Sequence, residues 1–567
     1  MASVSPLSPR SFRNDPDSFL PQALGGFVAS HPDAIWNTAG YIARRSPVVD
    51  VDGNPAVAVI SGGGSGHEPM HAGFLGEGML AAAVPGLMFT SPNAVQVTEA
   101  TRAADAGRGV VHIVKNYTGD VINFRVARQG LPGIDTREVI VADDVATSSD
   151  SGPGRRGTGA TILVEKVAGA SAFRGDDLDE VTRLARVVAE GSRSMAAALT
   201  PGHLPTSGRY TFDLGEEEME VGVGIHGEAG VDRTDVATAH ETVARLAGAV
   251  VGDLGLTGGD RVLCLVNGLG ATSNLELDLV FDEVLRFLAD RGVTVVRSIV
   301  GSYVTSVNMA GISVTLTRLD DADGDTVVEL IDAPTAAPAW PVTVGVDPEP
   351  VDATTVVPED VPGTAESAVN QWLSDFVSGV VASVDDLTEL DRLAGDGDFG
   401  TNMQAAFGDL PSPLKGTDAE VLAALASRLF IRAGGTSGAV FGTMFREMAT
   451  TAARGASAAL TAGELAEALT RAADAVTELG GAKPGDRTMV DALVPAAEAA
   501  RAAAEADPEA APDLAAVHEA AIAGARSTSE ITATKGRASY LGERARGVID
   551  PGALVVAWLF GDAGEMN

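Results

Sequence analysis

The texture of the chain changes once, and completely, at a proline-rich stretch. Pro334, Pro338, Pro341, Pro348, Pro350, Pro358 and Pro362 fall within residues 333–362, with acidic residues between them and few large apolar ones. Such a segment cannot continue a helix or a ladder and reads as a semi-extended linker. Before it, short β-rich runs alternate with helical periods. After it, residues 363–567 are Ala-rich, keep helical apolar spacing and contain almost no β-branched runs. One core does not serve both textures, so the sequence predicts an α/β half joined to an all-α half. The length of 567 residues leaves room for about three domains. The boundaries expected are 1–335 for the α/β part, 336–362 for the linker and 363–567 for the helical part.

In the first half, Ala56–Ile60 reads as a strand running into a glycine loop, Ser61 to Gly66. Gly109–Val114 and Val139–Ala142 are further strands, and helical periods cover Asp177–Glu190 and Val236–Ala249. This alternation predicts parallel strands. A second strand-rich block, about 210–335, holds Arg261–Val266, Val293–Val300 and Ser313–Thr317. Three loops carry chemistry at strand ends. Gly62-Gly63-Gly64-Ser65-Gly66-His67-Glu68-Pro69 lets backbone approach a small polar ligand closely. It is neither GxGxxG nor GxxxxGK[ST], so nucleotide binding is not expected there. Lys115-Asn116-Tyr117-Thr118-Gly119-Asp120 and Gly224-Ile225-His226-Gly227-Glu228 follow other apolar runs. A His, a Lys or an Asp in each of three loops points to a ligand crevice at the strand ends.

In the second half, Asp391, Asp396 and Asp398 lie within Leu390–Gly400, the first closing a helical stretch and the others on a glycine-rich loop. Three close carboxylates repel one another and call for a hard cation, Mg²⁺ or Ca²⁺. The EF-hand pattern is absent. Mg²⁺ commonly bridges substrate phosphates, which implies a nucleotide. Gly434–Gly438 is expected to open a helix near Ala439 and Gly480–Met489 to open another, each offering N–H groups to phosphate.

With these motifs in order, the chain resembles the ATP-dependent dihydroxyacetone kinases of the fused, single-chain type. The resemblance also uses Phe89-Thr90-Ser91-Pro92, Pro484–Met489, Gly536-Arg537-Ala538-Ser539-Tyr540-Leu541 and Asp550-Pro551-Gly552-Ala553. It implies a two-lobed α/β substrate-binding half, lobes about 1–195 and 196–335, followed by an eight-helix barrel that binds nucleotide. It implies that His226 captures the ketone of dihydroxyacetone as a covalent hemiaminal. Asp120 would be the base for the attacking hydroxyl and His67 a second catalytic histidine that polarises the substrate. Gly64, Ser65, Gly66 and Lys115 would contact substrate, and Asp391, Asp396 and Asp398 would hold Mg²⁺. Phe399, Gly400, Thr401, Asn402, Thr436, Ser437, Gly480, Met489, Arg544 and Asp550 would contact ATP. A homodimer is also implied. Alternatives are another short sugar (erythrulose or glyceraldehyde), an added FAD-splitting activity, and a non-catalytic ligand sensor.

Composition narrows the remaining classes. The net charge of −37 opposes nucleic-acid and anionic-membrane partners. The single cysteine, Cys264, sits in an apolar strand-like run and excludes a disulfide or Cys-based zinc framework. Met1–Pro16 has no apolar signal region, and Gly78–Thr98 is broken by Pro85 and Pro92, so a soluble cytoplasmic protein is expected.

Overall fold

The computed structural model describes residues 11–147, 154–341, 347–353, 367–535 and 542–563. The Gly536–Leu541 motif and much of the proline-rich linker lie outside them. The chain divides into two compact units, Met1–Asp352 and Ala353–Asn567.

The first unit opens with α1 (Phe19–Ser30) and a six-stranded sheet. Its strands are β1 (Ala34–Asn37), β2 (Tyr41–Arg44), β3 (Ala58–Ser65), β4 (Ala82–Met88), β5 (Val110–Lys115) and β6 (Thr136–Val141), in the order β1-β2-β4-β3-β5-β6. The strands from β4 to β6 pair in parallel, as expected. The chain leaves β3 to one side, into β4, and returns on the other side at β5. That reversal opens a crevice at the C-terminal ends of β3 and β5. Helices α2 (Ala94–Ala104) and α3 (Thr118–Gln129) cover one face, and α4 (Ala160–Arg174) and α5 (Leu178–Gly191) the other. Side chains sort by strand period: Ala58 and Ile60 join the core under α2 and α3, whereas Val57 and Val59 face α4.

A second six-stranded sheet is built from β7 (Ser192–Ala198), β10 (Glu218–Val221), β11 (Asp232–Asp235), β12 (Arg261–Gly268), β13 (Thr294–Gly301) and β14 (Gly311–Leu319). Between β7 and β10 lies a short hairpin, β8 (His203–Leu204) with β9 (Arg209–Tyr210). The sheet order is β11-β10-β7-β14-β12-β13, and only β12 and β13 are parallel. The expectation of parallel strands therefore fails in this sheet. A short loop returns β14 antiparallel between β12 and β7, a connection that needs no crossover helix. Helices α6 (Ala239–Leu254) and α7 (Asn274–Ala289) cover its outer face, and α8 (Gly324–Asp332) joins α4 and α5 on the inner one. Helix α4 lies between the two sheets, and every residue from Ala160 to Ala172 is buried. Its apolar residues run around the whole helix, which suits that place and no surface one, and Glu165 and Lys166 are buried with them. Cys264 is buried in β12, facing α6 and α7.

The second unit is helical: α9 (Gln371–Ala382), α10 (Val384–Ala394), α11 (Phe399–Phe407), α12 (Asp418–Arg432), α13 (Gly435–Ala452), α14 (Ala462–Gly480), α15 (Val490–Ala504), α16 (Leu514–Ser527) and α17 (Pro551–Trp558). From α10 onward each helix packs on the next, and α17 packs on α9 and α10, which closes the ring into a barrel. Nine helices are described where about eight were expected. The extra division falls at Ser383, which caps both α9 and α10. Capping boxes at Thr417 with Glu420 and Thr461 with Glu464 set where α12 and α14 begin.

No helix among the described residues is long and apolar enough to cross a membrane. His112 of β5 is buried against Phe124, and burial holds its imidazole down to about 3. Unfolded, it titrates near 6.5, so below that pH the unfolded chain carries the extra proton and stability falls. At pH 5 the penalty from this one group is about 2 kcal/mol. Thermal melts should show a lower Tm at pH 5 than at pH 7, and His112→Gln should flatten that dependence.

Candidate active site

The glycine run is part of strand β3 and not a loop after it: Ser61 to Ser65 all pair or lie within the strand. Glycine is needed there mainly for close approach. A Cβ on Gly62 would lie 2.5 Å from the Val84 carbonyl oxygen, one on Gly63 2.0 Å from Lys115 Nζ, and one on Gly64 2.6 Å from the Thr90 amide nitrogen. Only Gly66, at φ +108°, uses the conformational freedom itself.

His67 follows this turn and is fully buried. Its Nδ1–H donates to the Thr305 carbonyl at 2.8 Å, so Nε2 carries the lone pair and has no protein partner. Burial, then the neighbouring His226 and Lys115, hold the ring well below its usual range, so it is a neutral imidazole. It stacks on Phe89 with centroids 5.0 Å apart. Phe89 sits at φ 54°, a left-handed conformation that costs an aromatic residue on the order of 1–3 kcal/mol.

His226 comes from the other sheet, in the turn after β10. Its ring centroid is 4.8 Å from that of His67 and 4.6 Å from that of Tyr117. Its Nδ1 is 2.9 Å from Glu228 Oε1, and its amide donates to Glu228 Oε2 at 2.9 Å. Burial would raise the Glu228 carboxyl, but the His226 bond and charge outweigh it and hold it at about 2. Glu228 is therefore a carboxylate; in the neutral form of the His226 ring it fixes the proton on Nδ1 and leaves the lone pair on Nε2.

Lys115 ends β5, and Asp120 stands in the first turn of α3; both are buried. Lys115 Nζ donates to the Gly62 carbonyl at 3.3 Å and lies 2.7 Å from His71 Nε2. His71 Nδ1 lies 2.5 Å from Glu165 Oε1 of α4. Ser65 turns its hydroxyl to the Gly86 carbonyl and supports the strand end. Asp120 Oδ1 and the Tyr117 hydroxyl are, like His67 Nε2, buried without a hydrogen-bond partner. Several orphaned polar atoms around two imidazoles are costly unless a small polar ligand meets them.

In the helical unit, Asp391 ends α10, while Asp396 and Asp398 lie on the turn into α11. One carboxylate oxygen from each falls within 4.8 Å of the others. Burial and the Asp391 charge raise Asp398, the repulsion that a hard cation relieves. Asp391, Asp396 and Asp398 line a cleft with Phe399, Asn402, Thr436, Ser437, Gly480, Met489 and Asp550. Helix α13 begins at Gly435, earlier than expected, so Thr436 and Ser437 occupy its first turn, where amides face the cleft. Burial pushes Asp550 up to about 6 while it caps α17 through the Ala553 amide.

Not every expected nucleotide contact lines the cleft. A Cβ on Gly400 would lie 2.1 Å from Thr388 Oγ1, so this glycine serves the packing of α11 on α10. Thr401 is exposed on α11 and is not among the lining residues. Arg544 lies in a single turn, Gly542–Ala545, and its side chain is outside the described residues.

The chain matches a Dak1 domain over residues 25–339 and a DAK2 domain over residues 393–564. The triokinase/FMN cyclase of Rattus norvegicus is 35% identical to it over 577 residues, with 98% of each chain covered. The L-erythrulose 1-kinase of Mycolicibacterium smegmatis is 37% identical, covering 97% of this chain and 98% of that one. The crystal structure of the C. freundii dihydroxyacetone kinase with AMP-PNP and Mg²⁺ is similar at TM-score 0.62 and 31% identity, covering 97% of this chain and 98% of that one. The chain belongs to the single-chain dihydroxyacetone kinase family.

For this kinase, sequence reasoning missed residues that only contact reveals. Thr305 orients His67 from the second sheet, and nothing local marks it. Tyr117 and Glu228 lay inside recognised motifs without a role; the spacing of Glu228 two residues after His226 was the available signal. Arg487, at φ 64° and buried, lines the cleft of the three aspartates and donates to the Thr528, Ala545 and Val548 carbonyls. Gly64→Ala should destabilise the first unit by about 1–3 kcal/mol, because the obstructing atoms of Phe89 and Thr90 are backbone and cannot swing away. Chemical denaturation of the variant checks this; an unchanged midpoint would refute the close-approach account.

Proposed function

We propose that this kinase transfers the γ-phosphate of ATP to a terminal hydroxyl of a short ketose, dihydroxyacetone in the first instance, held as a hemiaminal on His226. The observation that carries the reading is His226 itself: its Nδ1–H on the Glu228 carboxylate leaves Nε2 as a nucleophile beside His67, Tyr117 and Asp120. A triose has few atoms with which to bind, and a covalent bond supplies what contacts cannot. In the capture step the Nε2 lone pair forms the bond to the ketone carbon, and the carbonyl π pair moves to oxygen. A proton from solvent completes the hemiaminal. The substituted ring is then cationic, and Glu228 balances it. Glycerol, without a carbonyl, is rejected.

His67 Nε2 is an acceptor in this arrangement, suited to a substrate hydroxyl and not to donating a proton to the carbonyl. Asp120 is the base for the attacking hydroxyl. In the helical unit, the three aspartates would hold Mg²⁺, which supplies charge neutralisation on the phosphates. The first turn of α13 adds amide donors for a phosphate oxygen.

A four-carbon ketose is a second reading, favoured by the relative named L-erythrulose 1-kinase. The relative named triokinase/FMN cyclase supports testing a flavin-nucleotide reaction in the helical unit. A coupled assay of ADP release with Mg-ATP should give its highest kcat/KM with dihydroxyacetone or erythrulose and no turnover with glycerol. His226→Ala should lose the ketose adduct seen by mass spectrometry after mild reduction; a wild-type yield of adduct would overturn the assignment. Asp396→Ala should weaken Mg-ATP binding by calorimetry about tenfold or more while leaving ketose capture intact. Equal loss of both would contradict the division of labour between the units.

A further inference from the structure

Helix α4 carries a carboxylate in the middle of a core that is otherwise largely apolar. Glu165 is completely buried, and Oε1 meets His71 Nδ1 at 2.5 Å. On the far side of the same ring, His71 Nε2 meets Lys115 Nζ at 2.7 Å. The three side chains come from α4, from the segment after β3 and from the end of β5, and they form one line that ends at the substrate crevice. Gly63 gives way to it, since any Cβ there would strike Nζ.

We propose that Glu165 and His71 are positioning residues that hold the Lys115 ammonium at the ketose site, with the Glu165 carboxylate as its counter-charge through the imidazole. The inference rests on the ketose reading of the first unit. Donor counting supports it. An ammonium has only donors, so His71 Nε2 accepts and Nδ1–H points at Glu165. Of the three ammonium hydrogens, one meets the Gly62 carbonyl and one His71, which leaves one for a ligand oxygen. The titratable groups facing Lys115 are His67 and His71 after β3, Asp120 of α3 and Glu165 of α4. Both imidazoles are kept neutral by burial, which leaves Lys115 as the cation opposite two acids. Burial lowers Lys115 and raises Glu165, and each charge opposes that shift in the other.

Glu165→Gln keeps an acceptor for His71 Nδ1–H and removes only the charge. The pH profile of kcat/KM for the ketose should then lose its alkaline limb at lower pH, by about one unit or more. Above both limbs this becomes a loss of about tenfold in kcat/KM for the ketose, with the KM for ATP unchanged. Glu165→Asp, which keeps the charge but shortens the reach, should move the limb less. An unmoved limb in Glu165→Gln would overturn the proposal, because it would mean that Glu165 is protonated in the native protein. A second readout needs no turnover. If the pair is coupled, Lys115→Met with Glu165→Gln together should lower Tm by less than the sum of the two single changes. Additive losses would overturn the coupling. Failure of the wild type to turn over any ketose would instead refute the substrate reading, and the Tm cycle would still decide the coupling.

Discussion

The burial of α4 between two sheets is the constraint on which the first unit depends. A helix with apolar residues around its whole circumference must be covered on all sides, and here one face packs on β3, β5 and β6 while the other meets β7 and α8. That layer joins the two sheets through a shared core, in which Val57 and Val59 of the first sheet belong with Leu263 and Leu265 of the second. The consequence is chemical. The turn after β10, with His226, is brought against the segment after β3, with His67, although the two residues lie far apart in sequence. The same helix places Glu165 behind Lys115. Packing and site are thus one arrangement.

Charge is handled differently in the two units. In the first, burial keeps His67 neutral, while Glu228 is held ionised against its own burial by the His226 bond and charge, a backbone hydrogen bond and the Arg156 charge. In the second, Asp391, Asp396 and Asp398 are grouped on a turn that remains partly open, and their mutual repulsion is left for a cation to relieve. The Dak1 match, residues 25–339, covers the first arrangement, and the DAK2 match, residues 393–564, the second.

Much of this was legible from the sequence. The change of texture at the prolines separated an α/β part from a helical part, because strand and helix periods bury their apolar residues differently. The Asp391–Asp398 cluster and the place of His226 were legible because each rests on local spacing, whereas the pairing of His226 with Glu228 came from the structure. The glycine run was legible as a close-approach element, yet its reason was not: Gly63 yields to Lys115 and Gly64 to the backbone at Phe89 and Thr90, contacts that cross from one strand to another. The mixed direction of the second sheet was likewise invisible, since strand period reports which face is buried and not which way a neighbour runs.

The sequence by itself determined the two textures, the aspartate cluster and the motif residues, since each depends on neighbours within a few positions. Only the tertiary structure decided that Thr305 sets the His67 tautomer, that Gly400 is a packing residue and that Lys115, His71 and Glu165 form one line. The reason is physical. Protonation state, orientation and close approach depend on what lies across a packed interface, and those neighbours are chosen by the burial of whole helices and sheets.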